Sequence, residues 1–453
     1  MVPCKLSELR PIIFNYRSVG KKTADHRASN SLIIALRLQA AAWDLVRDRG
    51  EARHFAATIR RYFSDRLITL GKLSVSALTL GMRRDQRLCA HYFPDRLIIF
   101  ISTEAMTETI PKTQRAAAYD KHNSPISIRE LPVPEPEADD VLIKVLYTGV
   151  CHSDLSIWKG LFDGPQKFPC VGGHEGAGVV VKLGSNAKYL KVGDKVGVKW
   201  INGTCNNCEM CRRGFEPNCP DAINSGFSRH GSFQQYCLMR ENEAIKIPDG
   251  LDLAQAAPIL CAGLTVYKAL LVSGAQAGDI VAINGAGGGL GSLCIQYAKA
   301  MGFQVLAVET KEKEQFCRAL GADFFVCPFS SKDIVAEVQA LTQGGPHAVL
   351  NVTNAVAAIN KSAEYVRTRG VVVLVSLPPG ELNLNIISTV FRTVDIRSTY
   401  VGNRIDTVKA LDFVARGLVK VPIVVRPFDK LNETLDELKA GKLKGRVVLD
   451  LWK

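Results

Sequence analysis

Residues 279–309 read DIVAINGAGGGLGSLCIQYAKAMGFQVLAVE, and this stretch decides the fold class. It divides into an apolar run, a glycine-rich turn, a helical segment and a second apolar run. These four parts predict strand, turn, helix and strand. A glycine-rich turn at this place lets the backbone approach a pyrophosphate at the helix N-terminus. The stretch therefore predicts the first unit of a dinucleotide-binding sheet.

The turn and the end of the second strand contain the residues that would bind a dinucleotide. Glu309 ends the second strand, where a carboxylate can accept hydrogen bonds from ribose hydroxyls and repel a 2′-phosphate. This position favours NAD over NADP, although a solvated strand end is the alternative interpretation of Glu309. The glycines follow a G-x-x-G-x-x-G spacing with two extra members: Gly285, Gly287, Gly288, Gly289 and Gly291.

Strands and helices continue to alternate after this unit. The helical segments are KEQFCRALGA (313–322) and KDIVAEVQALT (332–342). The strand segments are DFFVCP (323–328), HAVLNV (347–352) and GVVVLVSL (370–377). Such alternation predicts an α/β fold with a parallel, doubly wound sheet, and we assign it to residues 262–395.

The sequence on either side has a different texture. In residues 106–261, a proline- and acid-rich loop and an alternating strand form ISIRELPVPEPEADDVLIKVLYTGVC (126–151), and glycine-rich strands follow. This pattern predicts a mostly antiparallel β domain. Residues 396–453 return to the mixed texture and close on the strand-like GRVVLDLW (445–452).

Residues 1–105 form an N-terminal extension to which we assign no role, with disorder as one expectation. Helical periodicity is present in 31–46, and YFSDRLI (62–68) returns as YFPDRLI (92–98). Two copies are too few for a stacked repeat. The arginine excess suggests a mitochondrial presequence, but the acidic residues count against one. Four acidic residues illustrate the point: Glu8, Asp25, Asp44 and Asp48.

Composition excludes several classes of function. The 453 residues are 47% hydrophobic and 22% charged, which suits a globular protein of two or three domains. The formal charge of +13 lies mainly in residues 1–105, with 18 basic and 9 acidic side chains. Sparse aromatics and the absence of a long apolar run predict neither a nucleic-acid nor a membrane partner. The 13 cysteines favour a metalloprotein of a reducing compartment.

Four cysteines lie within CNNCEMCRRGFEPNC (205–219): Cys205, Cys208, Cys211 and Cys219. Four thiolates at this short spacing can surround one tetrahedral Zn²⁺. An iron–sulfur cluster is an alternative, although the similar ferredoxin run has three residues before its last cysteine rather than seven. A zinc ribbon that binds nucleic acid is another, but it carries paired C-x2-C knuckles. A closed four-cysteine site leaves no vacancy for substrate and is expected to be structural.

A second constellation is scattered along the chain. Cys151 and Asp154 belong to GVCHSDL, His174 and Glu175 to VGGHEGAG, and Cys261 to PILCAGLTVYKAL. A single cysteine or histidine is more often a packed core residue than a ligand. Together, two cysteines and one histidine offer three ligands and leave a fourth position open, which is the catalytic zinc arrangement of alcohol dehydrogenases.

Residues 106–453 resemble zinc-dependent alcohol dehydrogenases of the medium-chain dehydrogenase/reductase family, most closely the fungal cytosolic type. The resemblance rests on motifs that follow in family order: CHSDL, GGHEGAGVV, the four-cysteine loop, GSFQQY, LAQAAPILCAG, TVYKAL, GGLGSL, QYAKAMG, YVGNR and ARGLVK. It implies a GroES-like, mostly β catalytic domain and a Rossmann cofactor domain. Residues 1–105 match nothing in the family.

The resemblance also implies roles. Cys151, His174 and Cys261 would bind the catalytic zinc, with Glu175 behind it and able to exchange with water as a ligand. Asp154 would hydrogen-bond His174 and fix its tautomer. Ser153 would bind the alcohol oxygen, and His152 would face the cofactor pyrophosphate. Further cofactor contacts implied by the alignment are Leu290, Lys313, Val375, Leu377, Val401 and Arg446.

The implied pocket and proton path include one departure from the family. The position five residues after the first cysteine ligand, where a histidine often ends the proton relay, is Ser156. A hydroxyl can pass a proton but cannot hold one as a base. Trp158, Phe162 and Trp200 are predicted to wall the substrate pocket, where bulky side chains favour short primary alcohols.

The sequence thus predicts an enzyme that transfers hydride between a small primary alcohol and NAD, with two zinc ions per chain. A zinc dehydrogenase for polyols or for longer or aromatic alcohols is the alternative, and a non-catalytic zinc- and nucleotide-binding protein is a third. The family implies a homotetramer. We expect a cytoplasmic protein, or a mitochondrial one if residues 1–105 are a targeting segment.

Overall fold

The computed structural model describes residues 109–453 and three strands before them. The chain forms two compact units, Met1–Thr109 and Ile110–Lys453. In the first unit an antiparallel sheet has the order β1-β3-β2. Its strands are β1 (Arg10–Ile13), β2 (Arg87–Phe93) and β3 (Arg96–Ser102).

Most expectations for residues 1–105 lie outside the described residues. This holds for the helix predicted in 31–46, for the first repeat copy at 62–68 and for the proposed targeting character. The second copy, 92–98, spans the end of β2 and the start of β3, which pair with each other in antiparallel register.

The second unit opens with the predicted β-rich part. Its strands are β4 (Thr113–Tyr119), β5 (Ser127–Pro132), β6 (Asp140–Gly149), β7 (Cys170–Val171), β8 (Gly176–Leu183), β9 (Lys195–Val198), β10 (Ile201–Gly203), β11 (Ile223–Asn224), β12 (Tyr236–Arg240) and β13 (Ile245–Lys246). Its helices are α1 (His152–Trp158), α2 (Glu209–Arg212) and α3 (Leu253–Ala256). Two small sheets in this part have the strand orders β5-β4-β7 and β10-β11.

A parallel sheet follows. Its strands are β14 (Ile280–Asn284), β15 (Gln304–Val308), β16 (Phe324–Val326), β17 (Ala348–Asn351), β18 (Val371–Leu374) and β19 (Asp395–Ser398). The helices are α4 (Ala262–Ser273), α5 (Gly291–Ala300), α6 (Glu314–Ala319), α7 (Ile334–Leu341), α8 (Val356–Tyr365) and α9 (Ile386–Arg392). The strand order β16-β15-β14-β17-β18-β19 is that of a doubly wound dinucleotide-binding sheet, which confirms the predicted fold class.

The strands of this sheet are apolar on both faces because helices cover both. Val281 and Ile283 belong to one core cluster, whereas Ala282 between them belongs to the cluster on the other face. The sheet extends to Ser398, a few residues beyond the predicted boundary at 395, because the edge strand β19 continues to pair with β18 there.

The C-terminal residues return to the β-rich part, as the texture of the sequence suggested. They form α10 (Arg404–Ala415), β20 (Ile423–Pro427), α11 (Leu431–Lys439) and β21 (Arg446–Asp450). The main sheet has the order β13-β9-β8-β6-β21-β20, with β12 also on β6. β21 therefore lies beside β6, the strand that leads into Cys151.

Among the described residues, we find no single helix with the length and apolarity to cross a bilayer. The bent pair Leu253–Leu260 and Ala262–Ser273 meets those two criteria jointly.

Candidate active site

The first donor group lies where β6 meets α1. Cys151 precedes α1 with extended backbone, and its N–H donates to Asp154 Oδ2 at 2.9 Å. The next backbone N–H toward the strand, that of Val150, donates to Val447 O of β21 at 3.0 Å. Cys151 is therefore fixed from both sides, and its side chain is buried.

His174 and Glu175 come from the loop that enters β8, and both are buried. His174 Nδ1 lies 3.0 Å from Asp154 Oδ1. Because an ionised carboxylate only accepts hydrogen bonds, Nδ1 donates and the lone pair of Nε2 is left for a metal. Asp154 thus organises the first turn of α1 and orients the imidazole.

Cys261 ends a 3-10 turn, Ala257–Leu260, and precedes α4. The structure brings its thiol together with the other predicted ligands: donor atoms of Cys151, His174, Glu175 and Cys261 all lie within 4.8 Å of one another. Two thiols, an imidazole and a carboxylate at this spacing are a donor set that suits zinc.

The protons of this cluster are shared. A hydrogen bond with the Cys261 thiol lowers the pKa of Cys151 well below its ordinary value, and the same bond raises the pKa of Cys261. Burial lowers the pKa of His174, but the Asp154 carboxylate and Cys151 together outweigh burial, and the net pKa is raised. Because metal binding requires thiolate and neutral imidazole, a cation would displace these shared protons.

Glu175 adds an orphan atom to the site. Its Oε1 forms a buried ion pair with Arg446, whereas its Oε2 has no hydrogen-bond partner in the described part of the chain. Burial raises the pKa of Glu175 to about 7 although Arg446 lowers it. A buried carboxylate oxygen without a partner is costly, so the atom fits the neighbourhood of a cation.

Arg446 connects this site to the glycine-rich loop. A Cβ atom on Gly289 would lie 2.8 Å from Arg446 Cδ, so the loop and the arginine are packed against each other. The arginine side chain is buried and its Nε has no partner among the described residues. Arg446 therefore lies between Glu175 and the glycine-rich loop.

The glycine-rich loop joins β14 to α5 and is crowded at most of its glycines. Gly285 has a φ of 82°, which favours glycine. A Cβ on Gly291 would lie 2.2 Å from the carbonyl oxygen of Gly285. Gly288, Gly289 and Leu290 complete the turn, which brings the N-terminus of α5 close to the carboxyl ends of the strands.

The other predicted cofactor residues follow the carboxyl ends of neighbouring strands. After β15, Glu309 Oε2 accepts the Gly287 N–H at 3.0 Å, and Lys313 Nζ lies 3.8 Å from that oxygen. After β18, Val375 is buried and Leu377 is 61% exposed. These positions surround the crevice between β14 and β17, where the strand order reverses and where ligands bind in such sheets.

His152 and Asn354 meet across the two parts of the unit. His152 is exposed at the start of α1, and its Nε2 lies 3.4 Å from Asn354 Nδ2. Asn354 follows β17 and was not among the predicted residues. Its position after a strand was the available signal, but nothing in the local sequence pairs it with a histidine 202 residues away.

Two of the three predicted pocket residues lie together. The Trp200 ring contacts the rings of His174 and Phe162 edge-on, with centroids 5.6 and 6.1 Å apart. Val401 packs against the same apolar cluster. Tyr400, which the sequence analysis missed, has its hydroxyl against Trp200 Nε1.

The structure corrects the assignment of Trp158 to this pocket. Trp158 packs against the core of the β-rich part, and its Nε1 donates to Ser124 O at 2.8 Å. Trp158 is the last residue of α1, whereas Phe162 lies beyond the helix, so the two positions do not share a helix face. Ser156 is also buried, and its hydroxyl donates to the His152 carbonyl at 3.3 Å.

The four cysteines of the loop form a second cluster within 4.8 Å: Cys205, Cys208, Cys211 and Cys219. The Cys208 N–H donates to Cys205 Sγ at 3.3 Å, and the Cys211 N–H donates to Cys208 Sγ at 3.5 Å. Backbone N–H groups lower the pKa of Cys205 to about 7. Burial raises the pKa of Cys211 and of Cys219, so the four thiols are unequal, and their mutual spacing fits a tetrahedral metal site without an open position.

Comparisons with known proteins agree with this geometry. Residues 137–249 match the family model "Alcohol dehydrogenase GroES-like domain", and residues 289–416 match "Zinc-binding dehydrogenase". An acetophenone reductase from Geotrichum candidum, solved in complex with NAD, is 29% identical, with 76% of this chain and 99% of that chain covered and a TM-score of 0.68.

Two further solved structures are similar. A cinnamyl alcohol dehydrogenase from Sorghum bicolor is 28% identical, with 75% of this chain and 98% of that chain covered and a TM-score of 0.68. An alcohol dehydrogenase from Aeropyrum pernix is 27% identical, with 74% and 100% covered and a TM-score of 0.69. The two family matches span more than half of the chain. With its GroES-like domain and Rossmann-type sheet, the chain belongs to the zinc-binding oxidoreductases of the medium-chain dehydrogenase/reductase family.

Proposed function

We propose that the protein is an NAD-dependent, zinc-containing alcohol dehydrogenase of the fungal cytosolic type that interconverts small primary alcohols and aldehydes. One observation carries the proposal: the donor atoms of Cys151, His174, Glu175 and Cys261 converge within 4.8 Å. This cluster adjoins both an aromatic wall at Trp200 and, through Arg446, the glycine-rich loop.

The proposed site would combine a metal ion and a cofactor with residues of this chain. Cys151, His174 and Cys261 would hold a zinc ion, which would supply a Lewis acid that lowers the pKa of an alcohol hydroxyl. The carboxyl ends of the parallel strands would bind NAD, which would supply the hydride acceptor. The four-cysteine loop would hold a second, structural zinc.

Side chains of this chain would bind the alcohol, orient the ligands and limit the size of the pocket. Ser153, half-buried in the first turn of α1, is the group that we assign to the alcohol oxygen and its proton. Asp154 keeps His174 oriented, and exposed His152 lies at the crevice where the cofactor phosphates would bind. Phe162 and Trp200 limit the space for substituents on the alcohol carbon.

The proposal is tested with the purified full-length chain. We expect about two zinc ions per chain by elemental analysis, NADH formation with ethanol, and loss of that activity when the buried site is stripped. A chain that binds zinc and NAD but oxidises no alcohol would support the non-catalytic alternative. Activity that survives removal of both metals would exclude the metal-assisted mechanism.

A second candidate substrate class is longer or aromatic alcohols. The similar structures of a cinnamyl alcohol dehydrogenase and an acetophenone reductase favour it. Measuring kcat/KM for ethanol, butanol, benzyl alcohol, cinnamyl alcohol and sorbitol separates the candidates. The main proposal requires the highest value with a short primary alcohol.

Glu309→Ser is expected to raise kcat/KM with NADP relative to NAD by about 10- to 100-fold, since like charges near a protein surface repel by a few kcal/mol. The Glu309 carboxylate accepts a hydrogen bond from the Gly287 N–H of the glycine-rich loop. Glu312→Ser is the matched control, because this exposed carboxylate lies in the next turn. An unchanged cofactor ratio in Glu309→Ser would show that Glu309 is only a strand end.

We also propose self-association, with the homotetramer as the expected state. On α9, Ile386, Ile387, Val390 and Phe391 are each at least 69% exposed. The adjacent β19 is the edge of the parallel sheet, and no strand of the described residues pairs with its outer side. Light scattering after size-exclusion chromatography tests this, and a monomer at micromolar concentration would contradict it.

A cytoplasmic location is part of the proposal. All eleven cysteines of residues 109–453 are free, as suits a reducing compartment. Cell fractionation with an intact-mass measurement tests it. A mitochondrial protein that lacks the first residues would show instead that the N-terminal extension is a targeting segment.

A further inference from the structure

Val401 has a backbone conformation that its side chain disfavours. Its φ is +44°, in the left-handed region, where a β-branched residue is an outlier. Such a conformation is unfavourable and persists only where the surroundings hold it. The contacts on either side of Val401 therefore show what holds the segment 400–404. One set of contacts is with the aromatic cluster around Trp200, and the other is with the four-cysteine loop.

On one side, the segment contacts the substrate pocket. The Tyr400 hydroxyl meets Trp200 Nε1, and Val401 packs against the apolar cluster of Trp200 and Phe162. A Cβ on Gly402 would lie 2.5 Å from Leu264 Cδ1, so the backbone is close to the helix that follows Cys261. Val401 is thus part of the wall of the pocket.

On the other side, the segment contacts the four-cysteine loop. Arg404 Nη2 donates to Asn206 Oδ1 at 2.7 Å, and Asn206 lies between two of the cysteines. Asn403 Nδ2 donates to Gly214 O at 2.9 Å. The Arg404 guanidinium also lies 3.4 Å from a carboxylate oxygen of Glu216, close to the last cysteine.

Arg404 is further tied to a buried ion pair. Its Nε donates to Glu243 Oε1 at 2.9 Å, and Glu243 Oε2 accepts from Lys199 Nζ at 2.5 Å. Glu243 and Lys199 are almost wholly buried, and Lys199 immediately precedes Trp200. Arg404 therefore joins the loop, the connection between β9 and β10 that contains Trp200, and the segment that contains Val401.

We propose that Arg404 is a positioning residue through which the metal-bearing four-cysteine loop holds Val401 in the wall of the substrate pocket. The loop then sets selectivity for the size of the alcohol besides stabilising the fold. This inference rests on the proposed function. Without the arginine, Val401 is free to relax to negative φ, the wall moves and branched alcohols gain access.

The coupling must also act in reverse, because an interaction between two sites is reciprocal. An arginine that holds the segment through the loop also holds the loop through the segment. Loss of Arg404 should therefore make the metal of the four-cysteine loop easier to extract. This readout does not depend on catalysis.

The test compares Arg404→Met with Arg404→Lys and with Arg416→Met. Arg416 follows the other end of α10, is exposed and pairs only with Asp412 among the described residues, so it is a matched control. We expect Arg404→Met to raise kcat/KM for 2-methylpropan-1-ol relative to ethanol about fivefold to tenfold. A chelator should remove one zinc severalfold faster. Arg416→Met should change neither, and Arg404→Lys should restore part of both.

Val401→Gly is the second variant, for the case that Arg404→Met does not fold. Glycine removes the strain without touching the loop, so the alcohol ratio should shift in the same direction while zinc release stays at the wild-type rate. A wild-type alcohol ratio in a folded Arg404→Met, or in Val401→Gly, overturns the inference. If wild type oxidises no alcohol with NAD, the proposed function fails, and zinc release still tests the coupling.

Discussion

Cys151→Ala is expected to lower kcat/KM for alcohol oxidation by a factor on the order of 10³ or more. Lewis-acid activation contributes several kcal/mol to transition-state stabilisation, and each 1.36 kcal/mol is tenfold in rate. The variant keeps the other predicted ligands but breaks the three-ligand set, whose donor atoms lie within 4.8 Å. Zinc content should fall by about one ion per chain.

The matched control is Cys294→Ala, which removes the same atoms from a thiol that is also fully buried. Cys294 lies in α5 and packs in the core of the parallel sheet, where burial raises its pKa. We expect wild-type kcat/KM and unchanged zinc content, with a loss of about 1 kcal/mol in the free energy of unfolding. A Cys151→Ala enzyme that loses zinc yet keeps more than a tenth of its activity would refute the proposed role.

Arg446→Met is expected to lower the free energy of unfolding by about 3–5 kcal/mol, because it leaves a buried carboxylate without its partner. Both members of the Glu175–Arg446 pair are buried, with side-chain exposures of 4% for Arg446 and 0% for Glu175. The midpoint of urea-induced unfolding measures the loss. NAD affinity should fall as well, since the arginine packs against Gly289.

The loss of folding stability in Arg446→Met should depend on pH in a defined direction. Burial raises the pKa of Glu175 from 4.5 to about 7. Without Arg446, which lowers it, the pKa rises further. Between the unfolded and folded values the folded chain binds more protons, so stability falls as pH rises through that window. The cost of Arg446→Met should therefore be larger at pH 8 than at pH 6.

Two controls isolate the buried pair. The double variant Glu175→Gln with Arg446→Met removes both charges and should recover much of the lost stability. Arg426 lies on the neighbouring strand β20 and forms a partly exposed ion pair with Glu437 of α11, so Arg426→Met should cost less than about 1 kcal/mol. Equal costs for Arg426→Met and Arg446→Met would show that burial of the pair is unimportant.

The parts that the sequence predicted are those with short-range signals. The turn at Gly285 to Gly291 is visible because the positive φ of Gly285 and the backbone crowding at Gly291 favour glycine, and the four cysteines are visible because they lie in fifteen residues. The alternation of strands and helices predicted the parallel sheet for the same reason, since each element is decided by its own periodicity.

The parts that it did not predict depend on contacts between distant segments. Tyr400 is 200 residues from Trp200, and Asn354 is 202 residues from His152. Trp158 was assigned to the pocket because it is aromatic and near Cys151, yet the end of α1 turns it into another core. Arg404 gives no signal of its own, because its role arises only from the partners that folding brings to it.

Cys261 immediately precedes α4, a helix that packs with α5 against the parallel sheet, whereas Cys151 and His174 belong to the β-rich part. An ion bound by these three residues would therefore also cross-link the β-rich part and the parallel-sheet part, independently of its role in catalysis. Removing the ion should allow the β-rich part and the parallel-sheet part to move apart, which would speed proteolysis near residue 261 and increase the radius of gyration. Rebinding of the metal would then also bring these two parts back together.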